Sequence, residues 1–333
     1  MSITRQASDP GSTLCAFLDA RLPQRDLITQ EWSSRLRQPN WTGIEVQTDR
    51  RHLGHAFEVR LGLDLADTPG HWNLLSFLPL EQCDGLLRAA GFRPAEYDHL
   101  PDSQTSDPLL LAWERISRSE PDIAHPKQQA ALAACLDATA MDQLSHKLGD
   151  ETPVQTRRAL FLHLHQMSVS GSTSSVEDPA LRGLLELWNA YLRYGQEPVV
   201  RLGKRVVLAP ELAAGFATAD LVLGQTLVEI KTVLEPAAYL DQWLRQILGY
   251  VLLDRFNALW LDQIALYLGW QALLLPVSIE DLLSTATSGP TPGLETLRED
   301  FHEAIRPELD QVVGYLQRRR YPPPAQASSS RPL

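Results

Sequence analysis

The segment from Gly215 to Val233, GFATADLVLGQTLVEIKTV, holds the residues whose types and spacing could do chemistry. Gly224 and Gln225 read as a two-residue hairpin loop of type II′. The register this loop imposes sets Asp220 directly opposite Glu229 on the neighbouring strand. Side chains alternate with period two, so Lys231 shares a face with Glu229, while Leu221, Leu223, Val228 and Ile230 point to the other. One face is then core, and the other a charged, solvent-facing site. Two carboxylates with Cβ atoms ~5 Å apart repel each other unless a cation lies between them. Mg²⁺ or Mn²⁺ takes carboxylate oxygens, keeps several waters and accepts substrate phosphate oxygens, which is the arrangement phosphodiester hydrolysis needs. Lys231 would position or deprotonate the attacking water, or neutralise charge on the phosphorane.

A Glu-x-Lys tripeptide by itself is common on exposed strands, so the elements around it decide what it means. The following stretch, YLDQWLRQILGYVLLDRF, reads as a helix from about Ala237 to Phe256. Gln246 and Tyr250 lie one turn apart on one of its faces, able to reach across the carboxylates. Ahead of the segment, Val199 to Leu202 and Arg205 to Leu208 read as a first hairpin around Gly203-Lys204. Ala217 to Leu223 and Thr226 to Val233 form the second. Strands from Trp260 to Leu268 and Gln271 to Val277, a TSGPTPG linker and a long helix from Leu294 to Arg320 complete this half. Upstream, a helix from Ala180 to Tyr194 follows the Ser/Gly-rich linker at 168 to 179. Far ahead of that, residues 48 to 65 carry apolar positions at helical spacing around Glu58.

The order Asp220, Glu229-Ile230-Lys231-Thr232, then Gln246-x-x-x-Tyr250 resembles the RecB-like branch of the PD-(D/E)XK nuclease superfamily. The resemblance implies that Asp220 and Glu229, with the Ile230 carbonyl, bind Mg²⁺ or Mn²⁺. It also implies that Lys231 assists catalysis and that Gln246 and Tyr250 support the site and contact DNA. The stretch RHLGHAFE at 51 to 58 is similar to the first helix of such nucleases, which supplies a further carboxylate: Glu58, with His55 three residues before it. The chain departs from the pattern with Ala219 before Asp220 and with a long insert after Glu58, which leaves Glu186 as the rival for that carboxylate.

The resemblance implies an α/β fold: a restriction-endonuclease-like core with a mixed central sheet flanked by helices over 180–320. Ahead of it would lie a mainly helical N-terminal region over 13–179, whose 48–65 helix belongs to the core if Glu58 does. Residues 1–12 and 321–333 are polar, Pro-bearing and aperiodic, and read as disordered tails. The implied function is a metal-dependent nuclease acting on nucleic acid, DNA foremost. The alternative is a catalytically silent subunit of that fold, binding nucleic acid or protein partners in a defence or repair assembly.

Composition narrows the field further. The chain has 333 residues, 44% hydrophobic and 21% charged, which excludes a mainly disordered or fibrous protein. The net charge of −11 is concentrated at 61–198, which carries −9, while 199–260 is neutral. The acidic segment would repel phosphate and suits a protein partner or a gate; the hairpin region would not repel it. No run is apolar enough for a membrane span and the N-terminus lacks a secretory pattern, so a cytoplasmic location is expected. Cys15, Cys83 and Cys135, odd in number and widely spaced, argue against a disulfide framework and a paired-thiolate zinc site and read as buried apolar residues; iron–sulfur-bearing members of the superfamily that the chain resembles use four cysteines around the core, and no Cys follows Cys135. His163 and His165, two apart, face different sides of a helix. Arg318 to Arg320 suit a helix C-terminus, and Trp32, Trp41 and Trp72 suit a core.

Overall fold

A computed structural model describes residues 2–36, 50–65, 179–213 and 216–312, together with the helical positions 129, 132, 133, 135, 136 and 139. Expectations for Trp41, Trp72, Cys83, His163, His165, Arg318 to Arg320 and the 321–333 tail lie outside the described residues. Four N-terminal helices, α1 (Ile3–Ser8), α2 (Thr13–Arg21), α3 (Asp26–Arg35) and α4 (Arg50–Leu65), precede α5 (Pro179–Ala190). The α5 helix widens into a π-helical turn at Tyr191–Gly195 and continues as α6 (Gln196–Val200). Then come β1 (Val206–Leu208), β2 (Glu211–Leu212), β3 (Ala217–Thr218), β4 (Leu221–Leu223), β5 (Thr226–Lys231) and a 3₁₀ turn at Pro236–Tyr239. The chain goes on through α7 (Leu240–Leu253), β6 (Gln263–Leu268), β7 (Leu273–Ser278), α8 (Ile279–Ala286) and α9 (Leu294–Ala304). Among the described residues no helix is long and apolar enough to cross a membrane.

The architecture is α/β, with a mixed five-stranded sheet in the order β1-β4-β5-β6-β7 and helices on both faces. The β4–β5 hairpin has the expected register: Leu221 pairs with Val228, Val222 with Leu227 and Leu223 with Thr226, around Gly224 at φ +59°. β5 and β6 run parallel, joined through α7, and β7 returns antiparallel. Strands covered on both sides read as near-continuous apolar runs, which is why TLVEIK and QIALYL show little polar alternation.

Two cores flank the sheet. On one face Val222, Leu227, Ile264 and Leu266 pack with α1, α2, α3, α7, α8 and α9. On the other, Leu221, Val228, Ile230 and Tyr267 pack with α4, α5 and the 129–139 helical positions. Because α1 to α3 belong to the same core as α7 to α9, the described N-terminal helices are integral to the sheet domain rather than a region apart. Cys15 and Cys135 are buried and form no disulfide, and Trp32 is a core residue, as expected.

Several expectations are corrected. Residues 1–12 are not wholly a tail: Ile3, Gln6 and Ala7 of α1 are buried. The polar residues that suggested disorder satisfy backbone groups instead. Ser12 caps α2 through Cys15 N–H at 3.1 Å, and the Gln6 amide oxygen accepts from Leu14 N–H at 3.0 Å. Residues 199–202 are not a strand. Val199 is fully buried at the end of α6, so β1 pairs with β4 and not with its own upstream neighbour. The 217–223 strand is split, β3 pairing with β2 and β4 with β5, and Ala219 and Asp220 lie between them. The α7 helix stops at Leu253 because the Asp254 side chain accepts the Ala258 and Leu259 amides at 2.8 and 3.1 Å and turns the chain. β6 consequently starts at Gln263, not Trp260. The α8 helix was not anticipated, although Ser278 caps it through Asp281 N–H at 3.0 Å. The helix expected from Leu294 breaks at Ile305 and resumes over 306–312.

Candidate functional site

The site lies where β4 ends and β5 continues. β4 begins pairing at Leu221, so Glu229 to Lys231 run past its end, and Ile230 would be left with an unpaired N–H. Asp220 supplies the missing acceptor: its Oδ2 takes the Ile230 N–H at 2.7 Å. The hydrogen bond fixes the Asp220 carboxylate beside Glu229, the placement the hairpin register called for. Ile230 is thus held by its amide, and its side chain belongs to the core on the opposite face.

Glu229 is 0% exposed, so the site is not the solvent-facing strand surface expected from alternation. The correction extends to Lys231, whose side chain is only 21% exposed. The reason is α7, which lies over this face and closes it. Lys231 Nζ donates to Glu229 Oε1, and Gln246 Nε2 donates to the same oxygen at 2.7 Å. Gln246 Nε2 also reaches the Tyr250 hydroxyl at 2.6 Å. Among the described residues no hydrogen-bond donor reaches the second oxygen, Glu229 Oε2, which is buried. Burial first, and the neighbouring Asp220 carboxylate second, push the Glu229 carboxyl up to about 8 despite the opposing pull of Lys231. Burial alone would lower Lys231, but Glu229 and Asp220 outweigh it and hold the ammonium above its ordinary value. Tyr250 is raised as well, by burial and by Glu229.

Glu58 comes to the same place from far upstream. On α4, Leu53, Ala56 and Phe57 pack into the core opposite α7, and Phe57 stacks on Tyr267 of β6 at 6.1 Å. A close approach sets the position of the helix: a Cβ on Gly54 would stand 2.4 Å from Thr232 Oγ1, just beyond Lys231. This docking leaves Glu58 partly exposed, with its carboxyl raised by burial and by Asp220 and Glu229 and lowered by Lys231. The structure therefore brings together Asp220, Glu229, Lys231, Gln246, Tyr250 and Glu58. Glu186, partly buried on α5, is not among the charges that act on Glu58, Glu229 or Lys231. His55 lies one turn before Glu58 and is partly buried.

One contributor escaped sequence reasoning. Thr4 of α1 places its hydroxyl 3.4 Å from Gln246 Nε2 and hydrogen-bonds Tyr250. Ile3 beside it fits against Gly249, where a Cβ would come within 2.6 Å of its side chain. Only the small-residue gap at Gly249 in an otherwise bulky helix hinted that another element would cross there.

Chemically, three carboxylates face one ammonium. The Asp220 carboxylate lies close enough to raise the Glu229 carboxyl, second only to burial. Among the described residues, no group of three or more His, Cys, Asp or Glu side chains is arranged, as it stands, to hold a metal ion. No family model, curated protein or solved structure matches the chain.

Proposed function

We propose that this chain is a metal-dependent nuclease, hydrolysing phosphodiester bonds in DNA foremost, on a restriction-endonuclease-like core of the RecB-like PD-(D/E)XK branch. The observation that carries the reading is the meeting of Asp220, Glu229 and Lys231 with Glu58, from a helix remote in sequence, at the open end of one strand. The donor set fits a divalent cation, because Glu229 Oε2 is buried without a donor among the described residues, Asp220 raises Glu229, and both raise Glu58. Asp220, Glu229 and Glu58, with the Ile230 carbonyl, would hold Mg²⁺ or Mn²⁺. Such an ion lowers the pKa of a bound water and offsets charge on phosphate oxygens. Lys231, kept protonated by its neighbours, acts as a donor and positive charge towards the water or a phosphate oxygen. Gln246 orients the Glu229 carboxylate, and Tyr250 and Thr4 hold Gln246 in turn. The acidic charge of 61–198, −9, keeps that range off the phosphate-contacting surface and leaves the part outside its sheet-packing helices to a protein partner or gate, and a cytoplasmic location suits the reading.

A second reading, a catalytically silent subunit of the same fold in a defence or repair assembly, is favoured by one observation. Lys231 and Gln246 both close onto Glu229 Oε1, and no metal cage stands ready among the described residues. The test is purified full-length protein with Mn²⁺ or Mg²⁺ on linear, circular, single-stranded and modified DNA and on RNA. Cutting that chelator abolishes, and that Lys231→Ala abolishes while its circular dichroism at the assay temperature still shows the folded chain, is the expected result; its melting temperature should fall, because the buried Glu229 loses its ammonium partner. Wild-type cutting by Lys231→Ala overturns the assignment to this hairpin, and no cutting under any condition favours the silent subunit.

A further inference from the structure

At the other end of the sheet, the loop between α7 and β6 displays two aromatic side chains to solvent: Phe256 is 84% exposed and Trp260 64%. Each has a guanidinium alongside. Arg255 Cζ lies 5.4 Å from the Phe256 ring centroid and Arg205 Cζ 5.4 Å from that of Trp260. The aromatics are held out by a braced loop. Asp254 binds the Ala258 and Leu259 amides, Asn257 Oδ1 accepts from Leu261 N–H at 3.2 Å, and Arg205 Nη1 donates to the Leu259 carbonyl at 2.8 Å. Gln225 of the hairpin turn donates to the Trp260 carbonyl at 3.2 Å, tying this loop to the strands that carry the catalytic candidates. Asn257 and Trp260 both hold positive φ, 51° and 54°, a backbone state that a bulky residue keeps only where its surroundings enforce it.

We infer that Phe256 and Trp260 form a stacking platform for the bases of single-stranded nucleic acid, resting on the nuclease reading and specifying its substrate as one with unpaired bases. Three features choose this occupant. Two exposed rings, each with a guanidinium beside it, suit planar bases, which present a π-face whatever their sequence. The local charge is positive in an acidic chain: Lys204, Arg205 and Arg255 outnumber the exposed Asp262 and Glu280, since Asp254 is buried against Arg298. That excess attracts a phosphate backbone. From Leu261, the residue after Trp260, opens a cleft of about 890 Å³ whose polar lining includes Gln225, Gln263, Ser278 and Ser284, side chains that hydrogen-bond base edges, along with Asp262 and Glu280. Duplex DNA keeps its bases stacked on one another and would leave the rings unused.

The experiment measures anisotropy of labelled oligo-dT, oligo-U and a blunt duplex with full-length wild type, Phe256→Ala, Trp260→Ala and Arg255→Ala, in chelator. Trp260→Phe and the melting temperature guard against a variant that misfolds. Each alanine variant of a ring is expected to weaken single-strand binding by roughly 5- to 150-fold while barely altering duplex binding. Trp260→Phe should restore most of the loss, and Arg255→Ala should flatten the salt dependence by about 0.7 of a unit. Preference for oligo-dT or oligo-U assigns the strand as DNA or RNA. Unchanged single-strand affinity in both ring variants overturns the platform. So does an equal loss on duplex, which would mark a phosphate surface, or a change confined to self-association in sedimentation, which would mark a protein interface. Cutting of single-stranded DNA, RNA and duplex with Mn²⁺, measured in parallel, separates the two claims: cutting with unaltered single-strand affinity in the ring variants sinks only the platform, and lost affinity in those variants without cutting of any substrate by wild type sinks only the nuclease.

Discussion

Helices α4 and α7 approach the same residues from opposite faces of the sheet, and they bring different things. The α7 helix follows β5 almost at once, is buried along most of its length and offers two neutral groups, the Gln246 amide, which donates to Glu229, and the Tyr250 hydroxyl, which accepts from Gln246. The α4 helix arrives from far upstream and offers a carboxylate, Glu58, that keeps partial access to solvent. A helix that seals a site can carry amides and hydroxyls, which need only hydrogen bonds. A charge sealed in the same way would meet a larger desolvation penalty. The division of labour follows from that difference: the helix that leaves its side chain partly exposed carries a charge, and the helix that seals the site carries neutral groups that orient one.

The comparison breaks most readily on activity. Under the proposed function, Glu58→Gln should lower kcat about 100-fold or more, because it removes a charge acting on the reacting centre. Gln246→Ala should lower it only about 10-fold, as expected of a group that orients another ligand. Single-turnover cleavage at saturating Mn²⁺ checks both, and equal losses would mean that the two helices do the same work.

The next effect is on stability in chelator. The carboxyl of Glu229, raised from its ordinary 4.5 to about 8 by burial under α7 and by Asp220, favours the folded state fully below about pH 4.5. This contribution is lost as pH rises through about 8, since the folded state binds the proton that the unfolded state has released. Metal-free protein should therefore lose on the order of a few kcal/mol between pH 5 and 8 from this group. Glu229→Gln should flatten the profile, and Mn²⁺ should raise the melting temperature far more at pH 8 than at pH 5. A metal-free profile that rises with pH over this window would show that Glu229 is not buried as described.

The smallest effect sharpens the role of Asp220, which both helices' groups surround. Removing its charge relieves repulsion with Glu229 and Glu58, but removing its oxygen also leaves the Ile230 N–H without its acceptor. Asp220→Asn keeps an acceptor and should be at least as stable as wild type in chelator. Asp220→Ala should fall below Asp220→Asn by about 1 kcal/mol or somewhat more. Urea unfolding at pH 8 distinguishes them, and identical midpoints would show that the Ile230 bond contributes nothing.

Much of this was legible because it is local. A two-residue loop with glycine at its first position admits one register, so the placement of Asp220 beside Glu229 and the sharing of a face by Glu229 and Lys231 follow from chain geometry alone. The α7 helix and its Gln246-Tyr250 pair follow from 3.6-residue periodicity in the same way. The errors fall where non-local burial overrides local pattern. Val199 and Val200 have strand-like side chains, yet the preceding helix carries on through them because Val199 fills the core under the sheet. The polar N-terminus reads as a tail until α1 is seen lying across Gly249, with Thr4 among the partners of Gln246.

What the sequence by itself determined is the hairpin, its register and the set of reactive groups it carries, since these depend on turn conformation and alternation within a few residues. Only the tertiary structure decided that the carboxylate face is enclosed and not exposed, that Glu58 and not Glu186 joins it, and that Phe256 and Trp260 stand in solvent at the far end. These depend on which helix packs on which face. That choice is made by apolar area and close fits such as Gly54 on Thr232, between segments whose separation along the chain carries no trace of their contact.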